Sequence, residues 1–359
     1  MSHRLLSLSR LLLPAVLPVL ALPGDARADC LDGRPVNAGH RGTGNSTADN
    51  PFPENTIPSL LQAIEEGATN VEFDVRMSAD GVPVLMHDSS LDNTTDGEGC
   101  VSALTVAELQ QLDAGAGTPM AGGGVTIPTL AEVVEQVPID LNVEMKYDGG
   151  GACPELSREE FATAVLEVLE ADDQGRLLSI SSFDFMLLEE VRAQDPDIYL
   201  GYLALTVDVL PLAISAGFQA LNINVANVNA EVVAQVHAEG LEVNAWTVDD
   251  PVEIAAMFAA DVDAIITNEP PRVEAERALQ CDETETTGGS SGGEMSTSTG
   301  DNETETSVGS ATDSDTESLD YPDQDEGCGC RGAPAPRHRG LAWLLLAVVA
   351  LTGRRRRAR

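Results

Sequence analysis

Short apolar segments alternate with longer amphipathic segments between residues 29 and 280. The short segments have the length of β-strands, and the longer ones carry apolar residues three and four positions apart, as helices do. The predicted strands are Val36–Arg41, Val71–Arg76, Leu141–Lys146, Leu177–Ser182, Tyr199–Leu203, Ala220–Val225, Glu242–Thr247 and Asp263–Thr267. Helices are predicted between most of them, for example at Ile57–Glu66, Ser157–Ala171, Ser182–Gln194, Ala230–Glu239 and Asp250–Ala259. This alternation indicates an α/β protein, and the strand number matches an eight-stranded (β/α) TIM barrel.

One further apolar segment, Pro83–His87, lies outside this alternation. It follows the strand Val71–Arg76 too closely for a parallel crossover, which needs about a dozen residues. The turn residues Asp80-Gly81 between the two segments favour a hairpin instead. The rival fold, a doubly wound open sheet, would show a glycine-rich phosphate loop after the first strand, and His40-Arg41-Gly42 is not such a loop. The barrel is therefore favoured.

The N-terminal segment has the organisation of a secretory signal. Basic residues precede the apolar stretch Leu11–Leu22, and Ala26-Arg27-Ala28 supplies the small residues of a cleavage site. We therefore expect residues 1–28 to be a signal peptide and the protein to be exported. A retained membrane anchor is the alternative, but the stretch contains Pro14 and Pro18 and is shorter than the roughly 20 residues of a membrane helix.

The composition changes again after the predicted barrel. Residues 281–326 are rich in Ser, Thr, Gly and acidic residues and contain no Lys or Arg, which predicts a disordered linker. Residues 327–359 hold Cys328 and Cys330, a polar spacer, the short apolar run Leu341–Leu351 and an Arg cluster. This order predicts a C-terminal sorting or membrane-anchor signal, and it resembles the MYXO-CTERM tails of myxobacterial surface proteins. The resemblance implies a sorting protease and a cell-surface location, anchored to the outer membrane after processing. Secretion and an unprocessed tail anchor are the alternatives.

The chain is strongly acidic, with a formal net charge of −39. Such a chain repels nucleic acid and anionic lipid surfaces, so we expect no nucleic-acid partner and membrane attachment only through the C-terminal tail. Clusters of carboxylates in such a chain suit a divalent cation, with Ca²⁺ favoured over Mg²⁺.

Four of the six cysteines lie outside the C-terminal signal. Cys30 and Cys281 flank the predicted barrel, while Cys100 and Cys153 lie in segments that follow strands. In an exported protein, disulfides Cys30–Cys281 and Cys100–Cys153 are expected. Four cysteines allow three pairings, however, and the sequence does not choose among them.

Ionisable residues interrupt two of the predicted strands. Glu72 and Asp74 lie two residues apart in one strand, and Glu144 and Lys146 do so in the next. Residues two apart share a face of a strand, so the three carboxylates can meet inside the barrel mouth. Three carboxylates in a partly dry site need compensation, which a bound Ca²⁺ or Mg²⁺ supplies. The alternative is a solvated rim with outward-facing carboxylates.

Two cations and two histidines complete the candidate chemistry. Lys146 is the only lysine of the chain, and Arg41 ends the first strand; both suit phosphate, Lys as a point charge and Arg by paired hydrogen bonds. His40 and His87 each end an apolar strand-like segment, and a pair of histidines suits proton transfer to and from a phosphodiester near neutral pH. His237 lies in a helix pattern, where a packing or surface role is expected.

Residues 36–147 resemble the glycerophosphodiester phosphodiesterase family throughout. The matching segments are Ala38-Gly39-His40-Arg41-Gly42, Pro53-Glu54-Asn55-Thr56, Glu72-Phe73-Asp74-Val75, 80–88, 91–97, 127–130 and Glu144-Met145-Lys146. Weaker matches follow at Ser182-Phe183-Asp184, Trp246-Thr247-Val248 and 266–270, so the resemblance extends across the predicted barrel. One departure is Asn268, where the family often has Asp; a structural role is expected there.

The resemblance implies a role for each matching residue. His40 and His87 would be the acid–base pair, Arg41 and Lys146 would hold the phosphate, and Trp246 would line the pocket. The metal would be bound by Glu72, Asp74 and Glu144. Glu54 and Asn55 would support the first loop or the metal site, and residues 91–124 would form a small insertion beside it.

The implied function is metal-dependent hydrolysis of a small-molecule glycerophosphodiester to glycerol 3-phosphate and an alcohol, a step of lipid and glycerol metabolism. One alternative is a phospholipase C- or D-like phosphodiesterase that acts on intact or lyso-phospholipids, which a broad apolar rim around the site would favour. The other is a non-enzymatic surface protein carried on the acidic linker.

Overall fold

The computed structural model describes residues 31–288, with side chains as far as Cys281. Eight parallel strands follow one another around a barrel, which closes because β1 pairs with both β2 and β9. They are β1 (Val36–His40), β2 (Asn70–Met77), β4 (Asp140–Met145), β5 (Leu178–Ser182), β6 (Tyr199–Ala204), β7 (Ala220–Asn224), β8 (Glu242–Trp246) and β9 (Ala264–Thr267). The predicted TIM barrel is confirmed. The extra apolar segment forms β3 (Pro83–Leu85), which pairs antiparallel with β2 as the hairpin prediction required.

Helices lie between the strands, and α9 follows the last strand. They are α1 (Ile57–Glu65), α2 (Val106–Leu109), α3 (Leu130–Gln136), α4 (Arg158–Leu169), α5 (Phe185–Gln194), α6 (Leu210–Ala216), α7 (Ala230–Ala238), α8 (Pro251–Ala260) and α9 (Pro270–Gly288). The prediction that a helix starts at Ser182 was wrong. Ser182 is the last residue of β5, and α5 begins only after Asp184, whose side chain accepts a hydrogen bond from Leu187 N.

The main hydrophobic core lies between the strands and the surrounding helices. Every residue of β2 is buried. Val71, Phe73 and Val75 belong to this core and pack with helical residues such as Leu60 of α1. The residues between them, including Glu72 and Asp74, therefore occupy the opposite face of β2, toward the barrel interior. This alternation positions carboxylates inside the barrel without removing apolar surface from the core.

The segment between β3 and α3 forms the insertion beside the barrel. Together with Val84 of β3, it forms a separate hydrophobic cluster, which contains Met86, Leu91, Val101, Leu109, Ala114, Val125 and Ile127. A disulfide joins Cys100 of this segment to Cys153, in the loop that follows β4. One of the two expected pairings is therefore present. The other involves Cys30, which lies outside the described residues.

The amino ends of the strands carry a separate polar network. Asp263, just before β9, accepts a hydrogen bond from Arg34 and contacts His237 Nε2 at 2.7 Å. Arg34 also pairs with Glu242 at 2.9 Å, and the hydroxyl of Tyr199 donates to Glu242 at 2.5 Å. His237 thus has a structural contact at the end of the barrel away from His40 and His87.

Among residues 31–288, no helix has the length and apolar character needed to cross a membrane. The predicted signal peptide and the C-terminal sorting signal lie outside the described residues. The disordered linker was predicted to begin at residue 281, but residues 281–288 are helical and form the end of α9; the rest of the predicted linker lies outside the described residues.

Candidate active site

The carboxylates of β2 and β4 meet inside the barrel. Glu72, Asp74 and Glu144 each place one oxygen within 4.8 Å of the others, and all three side chains are buried. The parallel register sets Asp74 directly beside Glu144. This burial rules out the alternative of a solvated rim.

The two predicted phosphate-binding cations lie against this cluster. Lys146 Nζ is 2.5 Å from Glu144 Oε1 and 3.2 Å from Asp74 Oδ1. Arg41 Nε is 3.2 Å from Asp74 Oδ2, and Arg41 Nη1 is 2.8 Å from Glu54 Oε1. Both cations also line a cleft at the carboxyl ends of the strands, so each can contact a carboxylate and a bound anion.

Two residues with left-handed backbone conformations shape the first loop. Arg41 has φ +52° and Asn55 has φ +56°, and Asn55 N donates to Arg41 O at 3.1 Å. The turn at Arg41 directs its backbone N–H to Glu72 Oε2 at 3.1 Å. Asn55 Nδ2 donates to Asp74 Oδ2 at 2.8 Å, while Asn55 Oδ1 accepts from Asp74 N at 2.9 Å. Asn55 therefore holds Asp74 by both ends of its amide.

Negative charge exceeds positive charge in this cluster. Four carboxylates, those of Glu54 and the acidic triad, surround two cations, which leaves two negative charges if all ionise. Burial, together with the charge of Asp74, raises the pKa of Glu144 to about 7 and the pKa of Glu72 well above its ordinary value. Burial alone would also raise the pKa of Asp74, but Lys146 and Arg41 outweigh it and hold that pKa below its ordinary range. Protonation of Glu72 and Glu144 therefore offsets part of the excess negative charge of the cluster.

His40 lies at the end of β1 and lines the same cleft. Its Nε2 is 4.0 Å from Glu72 Oε2, and its Nδ1 is 2.7 Å from Asn268 Oδ1. Burial, followed by the charge of Arg41, lowers the pKa of His40 to about 4. The imidazole is therefore neutral at neutral pH and can accept a proton.

His87 follows β3 and lines the cleft together with His40. Its Nδ1 is 2.7 Å from Asp88 Oδ1, and its backbone oxygen accepts from Arg76 Nε at 2.8 Å. Arg76 also pairs with Asp148 at 3.1 Å, in the loop after β4. Burial lowers the pKa of His87, although the charge of Asp74 opposes the shift. The structure therefore brings the two predicted histidines to one cavity.

The cleft, of about 480 Å³, has a charged side and an apolar side. The charged side lies at β1, β2, β4 and the segment after β3, and it consists of His40, Arg41, Glu72, His87, Glu144 and Lys146. The apolar side comes from later strands and includes Phe183, Leu203, Trp246 and Ile266. The rings of Phe183 and Trp246 meet edge to face at 5.4 Å, and Trp246 Nε1 donates to Asn222 O at 2.9 Å. The indole is thus fixed where the sequence placed it, on the wall of the pocket.

Asn268 corrects the sequence interpretation. A structural role was expected at this position, but Asn268 contacts the histidine of β1. The reason is barrel closure: β9 pairs with β1, with Gly39 opposite Thr267, so the residues that follow both strands are neighbours. Asp88 and Asp249, the latter hydrogen-bonded to Asn268, were not singled out from the sequence. A polar residue immediately after the last strand was a usable signal, because functional groups collect at this end of a TIM barrel.

A model of the glycerophosphoryl diester phosphodiesterase family matches residues 40–272, which contain this whole cluster. The chain belongs to this family. Its members named below are phosphodiesterases, and the chain is accordingly an enzyme of the phosphoric diester hydrolase class.

Similar family members come from several bacteria. A glycerophosphodiester phosphodiesterase of Caldanaerobacter subterraneus subsp. tengcongensis is 32% identical over 234 residues, which are 64% of this chain and 93% of the relative. A phosphodiesterase of Oleispira antarctica, solved in complex with the product sn-glycerol-3-phosphate, has 31% identity and a TM-score of 0.60 over 68% of this chain and 96% of the other. The glycerophosphodiester phosphodiesterase of Thermotoga maritima has 28% identity and a TM-score of 0.52 over 66% of this chain and 96% of the other.

Proposed function

We propose that this enzyme hydrolyses small glycerophosphodiesters to glycerol 3-phosphate and an alcohol, with a divalent cation and two histidines. The observation that carries the proposal is that His40 and His87 line one cleft together with Glu72 and Glu144. The family match and the relative bound to sn-glycerol-3-phosphate support the choice of substrate.

The acidic triad fits a divalent cation. Glu72 Oε1 is buried and has no hydrogen-bond partner among the described residues, so one ligand atom is free. The excess negative charge and the raised pKa values of Glu72 and Glu144 favour the same conclusion, because a cation would replace the protons. Glu72, Asp74 and Glu144 would hold the ion, and carboxylate oxygens suit Ca²⁺ or Mg²⁺, of which we propose Ca²⁺. When bound, the ion would neutralise charge on the phosphate oxygens.

The partners of the two histidines differ, and this difference assigns their roles. His40 faces the neutral amide of Asn268, which gives little support to a charged imidazolium, whereas His87 faces the carboxylate of Asp88. The pKa of Asp88 is lowered by hydrogen bonds from Asn93 and His87, which outweigh burial. An anionic substrate in the cleft would further favour the charged form of His87. We therefore assign His40 as the general base and His87 as the general acid.

The reaction follows from these roles. His40 Nε2 removes a proton from the nucleophile, which is water or the 2-hydroxyl of the substrate's own glycerol. The nucleophile's oxygen bonds to phosphorus, the bond from phosphorus to the alcohol oxygen breaks, and His87 gives that oxygen a proton. Where the 2-hydroxyl attacks, a water molecule opens the cyclic phosphate with the two histidine roles reversed. One water is consumed in either case.

Arg41 and Lys146 would hold the phosphate. Both line the cleft and already contact the buried Asp74, so their charges are fixed before substrate arrives and need no reorganisation. Phe183 and Trp246 would pack against the carbon atoms of the glycerol or the alcohol.

Lyso-phospholipids are a second candidate substrate class, favoured by exposed apolar side chains after two neighbouring strands. Phe183 is 47% exposed and Met186 is 56% exposed after β5, and Leu205 is 62% exposed after β6. Phe183 also lines the cleft, so an acyl chain leaving the cleft on this side would meet apolar surface. The strong negative charge of the chain still argues against binding to anionic membranes.

We further propose that the enzyme is exported and held at the cell surface after removal of the signal peptide and processing of the C-terminal signal. The sequence patterns at the two ends support this. Mass spectrometry of the protein from its native cells would show the mature N-terminus near Asp29 and a modified or shortened C-terminus. Full-length protein in the cytoplasm would contradict the proposal.

The substrate proposal is tested with the purified enzyme on glycerophosphocholine, glycerophosphoethanolamine and lysophosphatidylcholine. We expect glycerol 3-phosphate and free choline or ethanolamine from the first two, loss of turnover with EDTA, and recovery with Ca²⁺. Turnover of lysophosphatidylcholine, without turnover of the two glycerophosphodiesters, would favour lyso-phospholipids as the substrate class. Full turnover in EDTA would contradict the metal requirement.

A further inference from the structure

A hydrogen-bonded chain runs from His40 away from the cleft to Asp249. His40 Nδ1 is 2.7 Å from Asn268 Oδ1, and Asn268 Nδ2 donates to Asp249 Oδ2 at 2.6 Å. Asn268 N donates to the other oxygen, Asp249 Oδ1, at 2.8 Å. We propose that Asp249 and Asn268 are positioning residues that fix which nitrogen of His40 faces the substrate. The proposal rests on the assignment of His40 as general base.

The chemistry of the carboxylate determines the direction of the whole chain. Both carboxylate oxygens of Asp249 accept hydrogen bonds from Asn268, and a carboxylate only accepts, so the amide of Asn268 must turn its NH₂ group toward Asp249. Its carbonyl oxygen must then face His40. That oxygen also only accepts, so His40 must carry its proton on Nδ1. Nε2 is left with a lone pair, and this nitrogen lies 4.0 Å from Glu72 Oε2, on the cleft side.

Further contacts hold Asp249 in place. The hydroxyl of Thr267 donates to Asp249 Oδ1 at 3.2 Å, and Arg272 Nη1 donates to the backbone oxygen of Asp249 at 2.7 Å. Asp249, in the loop between β8 and α8, is therefore held by contacts from β9 and α9. An amide at position 268 without this neighbour could rotate by half a turn and present its NH₂ group to His40. His40 would then have to accept a hydrogen bond at Nδ1 and carry its proton on Nε2. The protonated Nε2 could not take a proton from the nucleophile.

The requirement for Asp249 follows from the amide of Asn268, because a carboxylate at position 268 would orient His40 without a neighbouring group. A carboxylate only accepts, so it fixes the tautomer without help. An amide has two faces and requires a neighbour that selects one of them. Asp249 is that neighbour here, which explains why the departure from the family pattern at Asn268 is compatible with catalysis.

Three variants separate positioning from a purely structural role. Asp249→Asn keeps the shape but presents an amide that can donate to Asn268, so the Asn268 amide is no longer fixed. We expect kcat to fall about 100-fold, the lower end of what a general base contributes, with KM nearly unchanged. The double variant Asp249→Asn with Asn268→Asp exchanges carboxylate and amide, rebuilds every hydrogen bond of the chain, and should recover most of kcat. The matched control is Asp250→Asn, the same change at the exposed neighbouring residue that caps α8, and its kcat should equal that of the wild type.

Nitrogen NMR gives a readout that does not require turnover. In ¹⁵N-histidine-labelled protein, we expect His40 to show a protonated Nδ1 and an unprotonated Nε2, and Asp249→Asn to weaken or reverse this pattern. The double variant should restore it. If Asp249→Asn leaves both the His40 tautomer and kcat unchanged, the positioning role is wrong. If the wild type shows the expected tautomer but hydrolyses no phosphodiester, the proposed function fails while the hydrogen-bonded chain stands.

Discussion

Asn55 holds Asp74 with both ends of its side-chain amide. Its NH₂ group donates to the carboxylate at 2.8 Å, and its carbonyl oxygen accepts from the backbone of the same residue at 2.9 Å. Both residues are buried. A residue of the first loop thereby fixes the carboxylate that also contacts Arg41 and Lys146.

Asn55→Ala should destabilise the protein. The change removes two buried hydrogen bonds and places alanine at φ +56°, where Asn is better tolerated. We expect a loss of about 3 kcal/mol in the free energy of unfolding, measured by urea denaturation. The control is Asn227→Ala, at an exposed position after β7, which should change stability by less than about 0.5 kcal/mol. Equal effects of the two changes would show that the amide does not hold Asp74.

The stability of the metal-free protein should fall as pH rises. The pKa of Glu144 is raised from 4.5 to about 7 by burial and by Asp74, so the folded state binds more protons than the unfolded chain between these values. Stability from this group is complete below pH 4.5 and is lost as pH rises toward 7. We expect the Tm in EDTA to decrease by a few degrees across this window.

Two comparisons test this assignment. Glu144→Gln removes the titrating group and should flatten the decrease in EDTA. Saturating Ca²⁺ should also remove it, because the ion replaces the protons, and Ca²⁺ binding should release protons in calorimetry in two buffers. If the Glu144→Gln variant shows the same decrease in Tm as the wild type, the decrease arises from other titrating groups.

Removal of the Cys100–Cys153 disulfide should destabilise the insertion and reduce turnover. The bond closes a loop with a sequence separation of 53, for which the loop-entropy relation gives about 4 kcal/mol. It ties the insertion to the loop after β4, which supplies Asp148 to Arg76, and Arg76 holds the backbone of His87. Cys100→Ala with Cys153→Ala should therefore lower kcat more than KM, and dithiothreitol should do the same to the wild type. An unchanged kcat in a folded variant would show that the loop after β4 does not control the position of His87.

The alternation of residues predicted the barrel well, because each strand has to bury one face against helices regardless of its neighbours. The grouping of Glu72, Asp74 and Glu144 could also be predicted, since residues two apart share a face of a strand, but their burial in the structure was needed to exclude an outward-facing, solvated rim. Arg41, Lys146 and Trp246 lie at strand ends, where the fold collects functional groups.

Contacts between distant parts of the chain could not be predicted. Asn268 meets His40 only because the last strand returns to the first, and no local pattern encodes this pairing. The carboxylate of Asp88 is adjacent to His87 in sequence, but its hydrogen bond depends on the side-chain orientation. The link from Asp148 through Arg76 to His87 also spans three separate segments. The proposed roles of the two histidines rest on these contacts, so proposing which is the base and which the acid needed the structure, whereas the sequence was enough to select the residues.

The central claim is that three carboxylates bind a metal ion and two histidines transfer protons beside it. Calorimetric titration with Ca²⁺ and turnover of glycerophosphocholine, measured on the same variants, test it most directly. Glu72→Gln should lose Ca²⁺ binding and turnover together, whereas His87→Asn should keep Ca²⁺ binding and lose turnover by a factor of about 10²–10⁴. A Glu72→Gln variant with wild-type turnover, or a His87→Asn variant that remains fully active, would contradict the account.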